Sequence, residues 1–180
     1  MHLSVRLHAD EELGGRVLKV DHAGENGAVC IYAGQILVAR LTARSMLAEL
    51  KEFKSHEERH RRIFQAELER RALPRCRSYG FCALGGFALG VVTGLLGPGA
   101  IASTTVAVEQ VVLRHLHQQV AALSKSDRAA VAAIESIISE ERQHRDLSAA
   151  HVRASAPWLK ILSPIVAMST EAVIWLGMHL

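Results

Sequence analysis

Cysteine is scarce in this 180-residue chain. The three cysteines, Cys30, Cys76 and Cys82, are odd in number and have no C-x-x-C spacing. This usage argues against a disulfide framework and predicts free thiols in a reducing compartment. The first twenty residues contain no continuous apolar run, so we expect no secretory signal.

Aromatic side chains make up only 4% of the chain, whereas 49% of its residues are hydrophobic. Alanine and leucine dominate, and runs of β-branched residues are few, which favours helices over strands. We therefore expect an all-α protein in which residues 1–180 form a single domain.

Positive charge is slight overall, with a formal net charge of +3, but the arginines cluster. They are Arg59, Arg61, Arg62, Arg70, Arg71, Arg75 and Arg77. A basic patch suits nucleic acid or an anionic membrane surface. Because no basic motif is interleaved with aromatics and an uncharged stretch follows, we expect membrane lipid as a partner and no nucleic acid.

Two Glu-x-x-His motifs carry the candidate chemistry, Glu57 with His60 and Glu141 with His144. Residues three apart lie on one face of a helix. One such motif arises readily by chance, so a single copy is a weak signal. The pair gains weight from a third feature, the spacing to an upstream glutamate.

Each motif has a glutamate 32 residues before its own, Glu25 before Glu57 and Glu109 before Glu141. A ferritin-like four-helix bundle takes one Glu from each of two helices and one Glu-x-x-His from each of the others. The candidate catalytic residues and metal ligands are Glu25, Glu57, His60, Glu109, Glu141 and His144. Carboxylates with imidazoles suit iron or manganese, and we expect Glu57 and Glu141 to bridge two ions.

Three other interpretations remain open at this point. His56-Glu57-Glu58-Arg59-His60 also reads as H-E-x-x-H, the zinc-protease motif, although Glu25, Glu109 and Glu141 then have no role. A ferritin-like protein that handles iron or peroxide would use the same six residues. Two solvated helix faces decorated with charge are the third interpretation.

Apolar periodicity predicts two helical hairpins, about 17–73 and 100–154, which correspond at an offset of 84 residues. Between them, 81–101 has no charge but many glycines, so we expect a crossover rather than a regular spanning helix. A C-terminal helix is expected at 158–178, flanked by Trp158 and Trp175. Both segments are expected to contact a membrane, with a spanning segment or a buried connection packed on the bundle as the alternatives for 81–101.

The chain also resembles a known family, the demethoxyubiquinone hydroxylases of ubiquinone biosynthesis. The matching residues are Asp21-His22-Ala23-Gly24-Glu25, Gly27-Ala28, Ile31-Tyr32-Ala33-Gly34-Gln35, Leu95-Leu96-Gly97, Ala107-Val108-Glu109, His115, Glu140-Glu141, His144 and Asp146. The resemblance implies an O₂-dependent di-iron monooxygenase that hydroxylates the ring of a polyprenylated demethoxy-benzoquinol. It implies the six residues above as ligands of two iron ions, and an external reductant.

The resemblance also implies a protein on the inner face of a membrane, peripheral or monotopic, on the cytoplasmic or matrix side. It leaves room for an oligomer and for contacts with other ubiquinone-biosynthesis proteins. The chain departs from the family at Asn26 and Leu116, where the family usually has tyrosine. His22 and His115 are candidates for contacts just outside the ligands, or for ordinary core histidines.

Overall fold

The computed structural model of this protein describes residues 2–152 and 157–180, and its regular elements there are all helical. They are α1 (His2–Thr42), α2 (Leu47–Arg70), α3 (Tyr79–Leu95), α4 (Pro98–Leu123), α5 (Arg128–His151) and α6 (Pro157–His179), with a 3₁₀ turn at Arg44–Met46. The all-α, ferritin-like fold class predicted from the sequence is confirmed.

Four of the helices form a bundle of two hairpins, α1 with α2 and α4 with α5. The apolar stripes expected from the sequence face inward on each helix. Phe64, Ile134 and Leu18 lie in one buried cluster, and Tyr32 and Phe53 lie in another. In sequence the six candidate ligands fall between these clusters, so they lie in the middle of the bundle.

Two hairpin features differ from the prediction. α1 begins at His2 rather than near Val17, because Gly14 and Gly15 sit in the helix at close packing points against Asp127 and Leu73. α1 also ends at Thr42, short of the end near Leu47 that apolar periodicity predicts, and a 3₁₀ turn starts the connection to α2. The predicted ends of the second hairpin at residues 153 and 154 lie outside the described residues.

The expected crossover at 81–101 connects the two hairpins and is more regular than its glycines indicated. Most of it is a regular helix, α3, which packs along α1 outside the four-helix core. Glycines on both helices allow this contact: a Cβ on Gly86 would overlap the Gly27 carbonyl, and one on Gly90 would overlap that of Ile31. Small residues let helix backbones approach closely. The glycines thus build an interface and do not break the helix.

Capping residues define the start of α4 and of α5. Gly97, with a φ of 90°, follows α3, and Pro98 begins α4. Glycine favours that backbone conformation, and proline favours the first helical position. Asp127 caps α5 by accepting a hydrogen bond from the Ala130 amide at 3.0 Å, and Arg71, the residue that follows α2, donates to the same carboxylate.

α6 packs against α4 and α1 and leaves much of its apolar surface exposed. Within the described part of the chain, Lys160–His179 is the helix that is long and apolar enough to cross a membrane, by length and composition. Met168 is 73% exposed and Trp175 is 63% exposed. The Trp158 side chain lies outside the described residues.

Candidate metal centre

Six acidic and imidazole side chains meet inside the bundle, and all six are buried. They form two overlapping groups: Glu25, Glu57, His60 and Glu141 in one, and Glu57, Glu109, Glu141 and His144 in the other. Within each group the potential ligand atoms lie within 4.8 Å of one another. These are the six residues singled out in the sequence, and the two shared by both groups are Glu57 and Glu141.

His60 of α2 directs its Nδ1 atom at three carboxylates. Nδ1 lies 2.7 Å from Glu141 Oε1, 3.5 Å from Glu25 Oε2 and 3.6 Å from Glu57 Oε2. Oxygens from three helices thus surround one imidazole nitrogen. This group of side chains could hold a metal ion.

His144 of α5 repeats the arrangement. Its Nδ1 atom lies 3.1 Å from Glu57 Oε1 and 3.7 Å from Glu141 Oε2. On the far side of this half, the Tyr32 hydroxyl donates a hydrogen bond of 3.5 Å to Glu109 Oε1. Phe53 packs on the His144 ring at 4.3 Å between centroids, which keeps water away from this edge.

The outer nitrogens of both histidines also have partners. His60 Nε2 lies 2.7 Å from Glu140 Oε2, and His144 Nε2 lies 3.0 Å from His56 Nδ1. Arg59 donates to the Glu140 carboxylate. Since His56 points at another histidine and belongs to neither ligand group, the arrangement does not match an H-E-x-x-H zinc site.

Burial and mutual repulsion set the protonation of the cluster. Burial, reinforced by neighbouring carboxylates, raises the pKa of Glu25 and Glu109 well above the ordinary value. Burial alone would also raise the pKa of Glu57 and Glu141, but hydrogen bonds from the two histidines hold it below the ordinary range. Two carboxyls therefore keep protons that a cation would displace.

The histidines respond in the opposite sense. Burial would lower the pKa of both rings, yet hydrogen bonds to the carboxylates raise it, to about 9 for His144 and above its ordinary value for His60. Buried atoms without a well-formed hydrogen bond include Glu25 Oε2, Glu57 Oε1, Glu141 Oε1 and both Nδ1 atoms. Converging, unsatisfied oxygen and nitrogen donors fit a pair of divalent cations such as iron.

A cavity of about 380 Å³ adjoins the cluster and lies between α1, α3, α4 and α6. Its walls are mostly apolar, and its polar end includes Glu25 and Glu109. Leu95 and Leu96, which match the family, are exposed and do not line the cavity, whereas Leu89 does. An apolar cavity that ends at carboxylates can hold a ring beside the cluster.

Asp21 is a polar group of the cavity wall that the sequence did not single out as a site residue. It lies one helical turn before Glu25, and its Oδ1 accepts a hydrogen bond of 2.9 Å from Gln119. Its Oδ2 is buried without a partner. Burial raises the pKa of Asp21 to about 7, against a smaller lowering by the Gln119 hydrogen bond.

The secondary candidates have separate roles. His22 is buried against the Tyr79 ring, and His115 lines the cavity and lies 2.7 Å from Glu171. Neither ring contacts a candidate ligand through the hydrogen bonds described. Asn26 donates to the Tyr79 carbonyl and accepts from Arg61, which ties α1 to α3 and α2.

Leu116, the other departure from the family, packs in the core and lines the cavity. A leucine at this position makes the cavity wall apolar where a tyrosine would add a hydroxyl. The departure thus concerns the cavity rather than the six candidate ligands.

A four-helix bundle with four buried glutamates and two buried histidines defines the ferritin-like class, in which such side chains hold metal. The profile of the family described as "Ubiquinone biosynthesis protein COQ7" matches residues 12–177. The chain belongs to this family.

Individual relatives agree with the match over most of the chain. A 3-demethoxyubiquinol 3-hydroxylase of Rhodospirillum rubrum is 34% identical over an alignment of 188 positions, which covers 98% of this chain and 87% of that protein. An NADPH-dependent 3-demethoxyubiquinone 3-hydroxylase, mitochondrial, of Dictyostelium discoideum is 34% identical, and the alignment covers 90% of this chain and 75% of that protein. The human protein of the same name is 30% identical, and the alignment covers 92% of this chain and 77% of the human protein.

Proposed function

We propose that residues 1–180 form one functional domain that hydroxylates the ring of a polyprenylated demethoxy-benzoquinol in ubiquinone biosynthesis. The observation that carries the proposal is the apolar cavity whose inner end is the carboxylate and histidine cluster. Relatives of this chain are named as hydroxylases of demethoxyubiquinol or demethoxyubiquinone. An iron store would need the cluster but would have no use for the cavity.

Two iron ions would be held by the six clustered side chains, with Glu57 and Glu141 as bridging ligands and Glu25 and Glu109 as terminal ligands. When bound, the ions supply the activation of O₂. The reaction consumes a ring C–H bond, O₂, two electrons and two protons. It yields a ring C–OH group and water. The cavity's part is to hold the ring near Glu109 and to exclude water.

The electrons must come from outside the chain. Several relatives carry NADPH in their names, and we propose NADPH as the source here as well. One NADPH and one proton supply the two electrons and the two protons of the reaction. The prenyl tail then needs an apolar environment, because the cavity is large enough for the ring but not for a long chain.

The surface beside the cavity supports a proposal of membrane attachment. α3 and α6 expose large apolar side chains, among them Phe81, Leu84, Ile165, Met168 and Trp175. Exposed apolar area of this extent marks an interaction surface. We propose that this surface inserts into one leaflet on the cytoplasmic or matrix side, so that the quinol enters between α3 and α6.

The test is conversion of a demethoxy-quinol to its hydroxylated product by the iron-loaded protein in lipid, under O₂ with reductant. Leu89→Asp, which charges the cavity wall, should abolish conversion without loss of iron. Leu41→Asp is the matched control, since Leu41 is exposed at the end of α1 and is not a cavity residue. Its rate should stay close to that of the wild type.

Iron content should be measured on the same samples. We expect about two iron ions per chain, and loss of most of this iron in Glu57→Ala, because a bridging carboxylate serves both ions. If the wild type oxidises Fe(II) and stores the ferric form but makes no product, the hydroxylase proposal is wrong. A ferritin-like iron-handling function would then replace it.

A further inference from the structure

Each half of the proposed metal centre supplies the outer contact of the other half's histidine. The residue just before the shared glutamate of each Glu-x-x-His motif contacts the histidine of the other motif: Glu140 reaches His60, and His56 reaches His144. His56 and Glu140 are 84 residues apart, which is the offset of the internal repeat. Equivalent positions therefore play equivalent parts but carry different chemistry.

The geometry fixes the direction of both hydrogen bonds once metal is bound. Each histidine turns Nδ1 to the carboxylates, so Nδ1 is the ligand atom and Nε2 must carry the proton. His60 then donates to a carboxylate oxygen, whereas His144 donates to a neutral imidazole nitrogen. A carboxylate partner makes a ligating imidazole more basic than a neutral acceptor does.

The local charges preserve this difference. Arg59 donates to Glu140 and holds the carboxylate in place, offsetting a part of its charge. Glu140 therefore has donors from both Arg59 and His60 on one carboxylate oxygen, Oε2. His56 lies 4.0 Å from Glu140 Oε2, outside hydrogen-bond range.

We infer that the two metal half-sites of this chain are unequal: the half-site of His60, supported by Glu140, binds a divalent ion more tightly than the half-site of His144, supported by His56. The inference rests on the proposed metal centre. His56 and Glu140 are positioning residues, since each acts through a histidine and neither contacts the ion. Partners of this kind typically change metal affinity by about 10- to 100-fold.

Half-site variants measure the inequality directly. Glu109→Ala removes a carboxylate from the His144 half, and Glu25→Ala removes one from the His60 half. Co(II) titrations followed by visible absorption should give tighter binding in Glu109→Ala, by about 10-fold or more. In the wild type, the same inequality should separate two successive Co(II) binding steps.

The partners are tested by a matched pair of glutamine substitutions. Glu140→Gln keeps an oxygen acceptor but removes the charge, so in the Glu109→Ala background it should weaken Co(II) binding about 10-fold. His56→Gln exchanges one neutral acceptor for another and should change the Glu25→Ala background less than about threefold. His56→Glu, which gives both halves a carboxylate, should tighten that background.

Equal affinities in the two half-site variants, together with one unresolved step in the wild type, would overturn the inference. So would equal effects of the two glutamine substitutions. These outcomes are distinct from failure of the hydroxylase proposal, because Co(II) affinity is read without O₂, reductant or quinol. Circular dichroism on each variant shows that the bundle is folded, and the wild-type titration needs no variant.

Discussion

Gly90 of α3 lies directly against the Ile31 carbonyl of α1, so that a Cβ at this position would overlap the carbonyl oxygen. Gly86 has the same relationship with Gly27 one turn earlier. Backbone therefore meets backbone along this interface, and neither helix can yield by turning a side chain. This contact fixes one wall of the cavity to the helix that carries Glu25.

Gly90→Ala should destabilise the protein by about 1–3 kcal/mol, because the added methyl group forces the two backbones apart. At this chain length the melting temperature should fall by roughly 2–4 °C for each kcal/mol. Gly85→Ala is the matched control, since a Cβ there meets nothing within 4 Å. It should leave stability unchanged or raise it slightly, and equal losses in both variants would contradict the prediction.

Asp127→Ala should cost about 1–2 kcal/mol, because the α5 cap to Ala130 and the ion pair with Arg71 are both lost. These interactions lower the pKa of Asp127, with the Arg71 hydrogen bond as the largest cause. Their stabilisation is therefore present above the ordinary pKa of 3.8 and is lost as pH falls through the lower folded value. Urea unfolding of the variant beside Asp146→Ala, an exposed control, checks this.

Asp21 predicts the opposite dependence on pH. Its folded pKa of about 7 lies above the ordinary 3.8, so its contribution to stability is lost as pH rises from about 4 to about 7. Asp21→Asn cannot ionise, and its free energy of unfolding should fall less over this range than that of the wild type. Urea unfolding of both metal-free proteins across this pH range measures the difference. An equal change of the free energy of unfolding with pH in the two proteins would be inconsistent with a buried, protonated Asp21.

Metal uptake should release protons and strengthen as pH rises. The raised pKa values of Glu25 and Glu109 mean that both carboxyls hold protons in the metal-free protein, and a cation must displace them. Proton release can be followed with an indicator dye during Co(II) addition at low buffer strength. Glu57→Ala, tested in parallel, should bind little metal and release few protons. Metal uptake that is independent of pH between about 5 and 7 would contradict this sign.

Attachment to membranes should resist salt. Several arginines of the basic cluster are already engaged within the protein, such as Arg71 with Asp127 and Arg61 with Asn26. The exposed apolar residues of α3 and α6 then carry the binding, and at about 1 M salt charge attraction is screened beyond roughly 3 Å. Sedimentation with vesicles should show binding retained in high salt and weakened by Met168→Glu. Complete release by salt alone would contradict an inserted surface.

The sequence predicted those parts of the molecule that depend on local periodicity. The i, i+3 spacing of Glu57 and His60 and the repeated 32-residue interval are properties of single helices and hairpins, and the structure brings all six residues together. The inward stripes of the four bundle helices follow for the same reason.

The rest depended on contacts between distant segments. The glycines of 81–101 predicted a crossover rather than a regular spanning helix, and the sequence did not show that they allow α3 to pack closely on α1. Gly14 and Gly15 likewise led to a predicted start of α1 that lies too far along the chain. His56 and Glu140 each contact the histidine of the other motif, and these contacts depend on how the helices are rotated in the bundle. The repeat offset already indicated that the two residues occupy equivalent positions.

Each hairpin supplies the outer partner of the other hairpin's buried histidine. Two copies of a single ancestral hairpin, paired as a homodimer, would have to place the same residue at the positions of His56 and Glu140. Joining the copies in one chain removes that constraint, since each position can then mutate alone. The different residues at His56 and Glu140 could not occur in such a homodimer, and they change what contacts each histidine without altering any of the six clustered side chains.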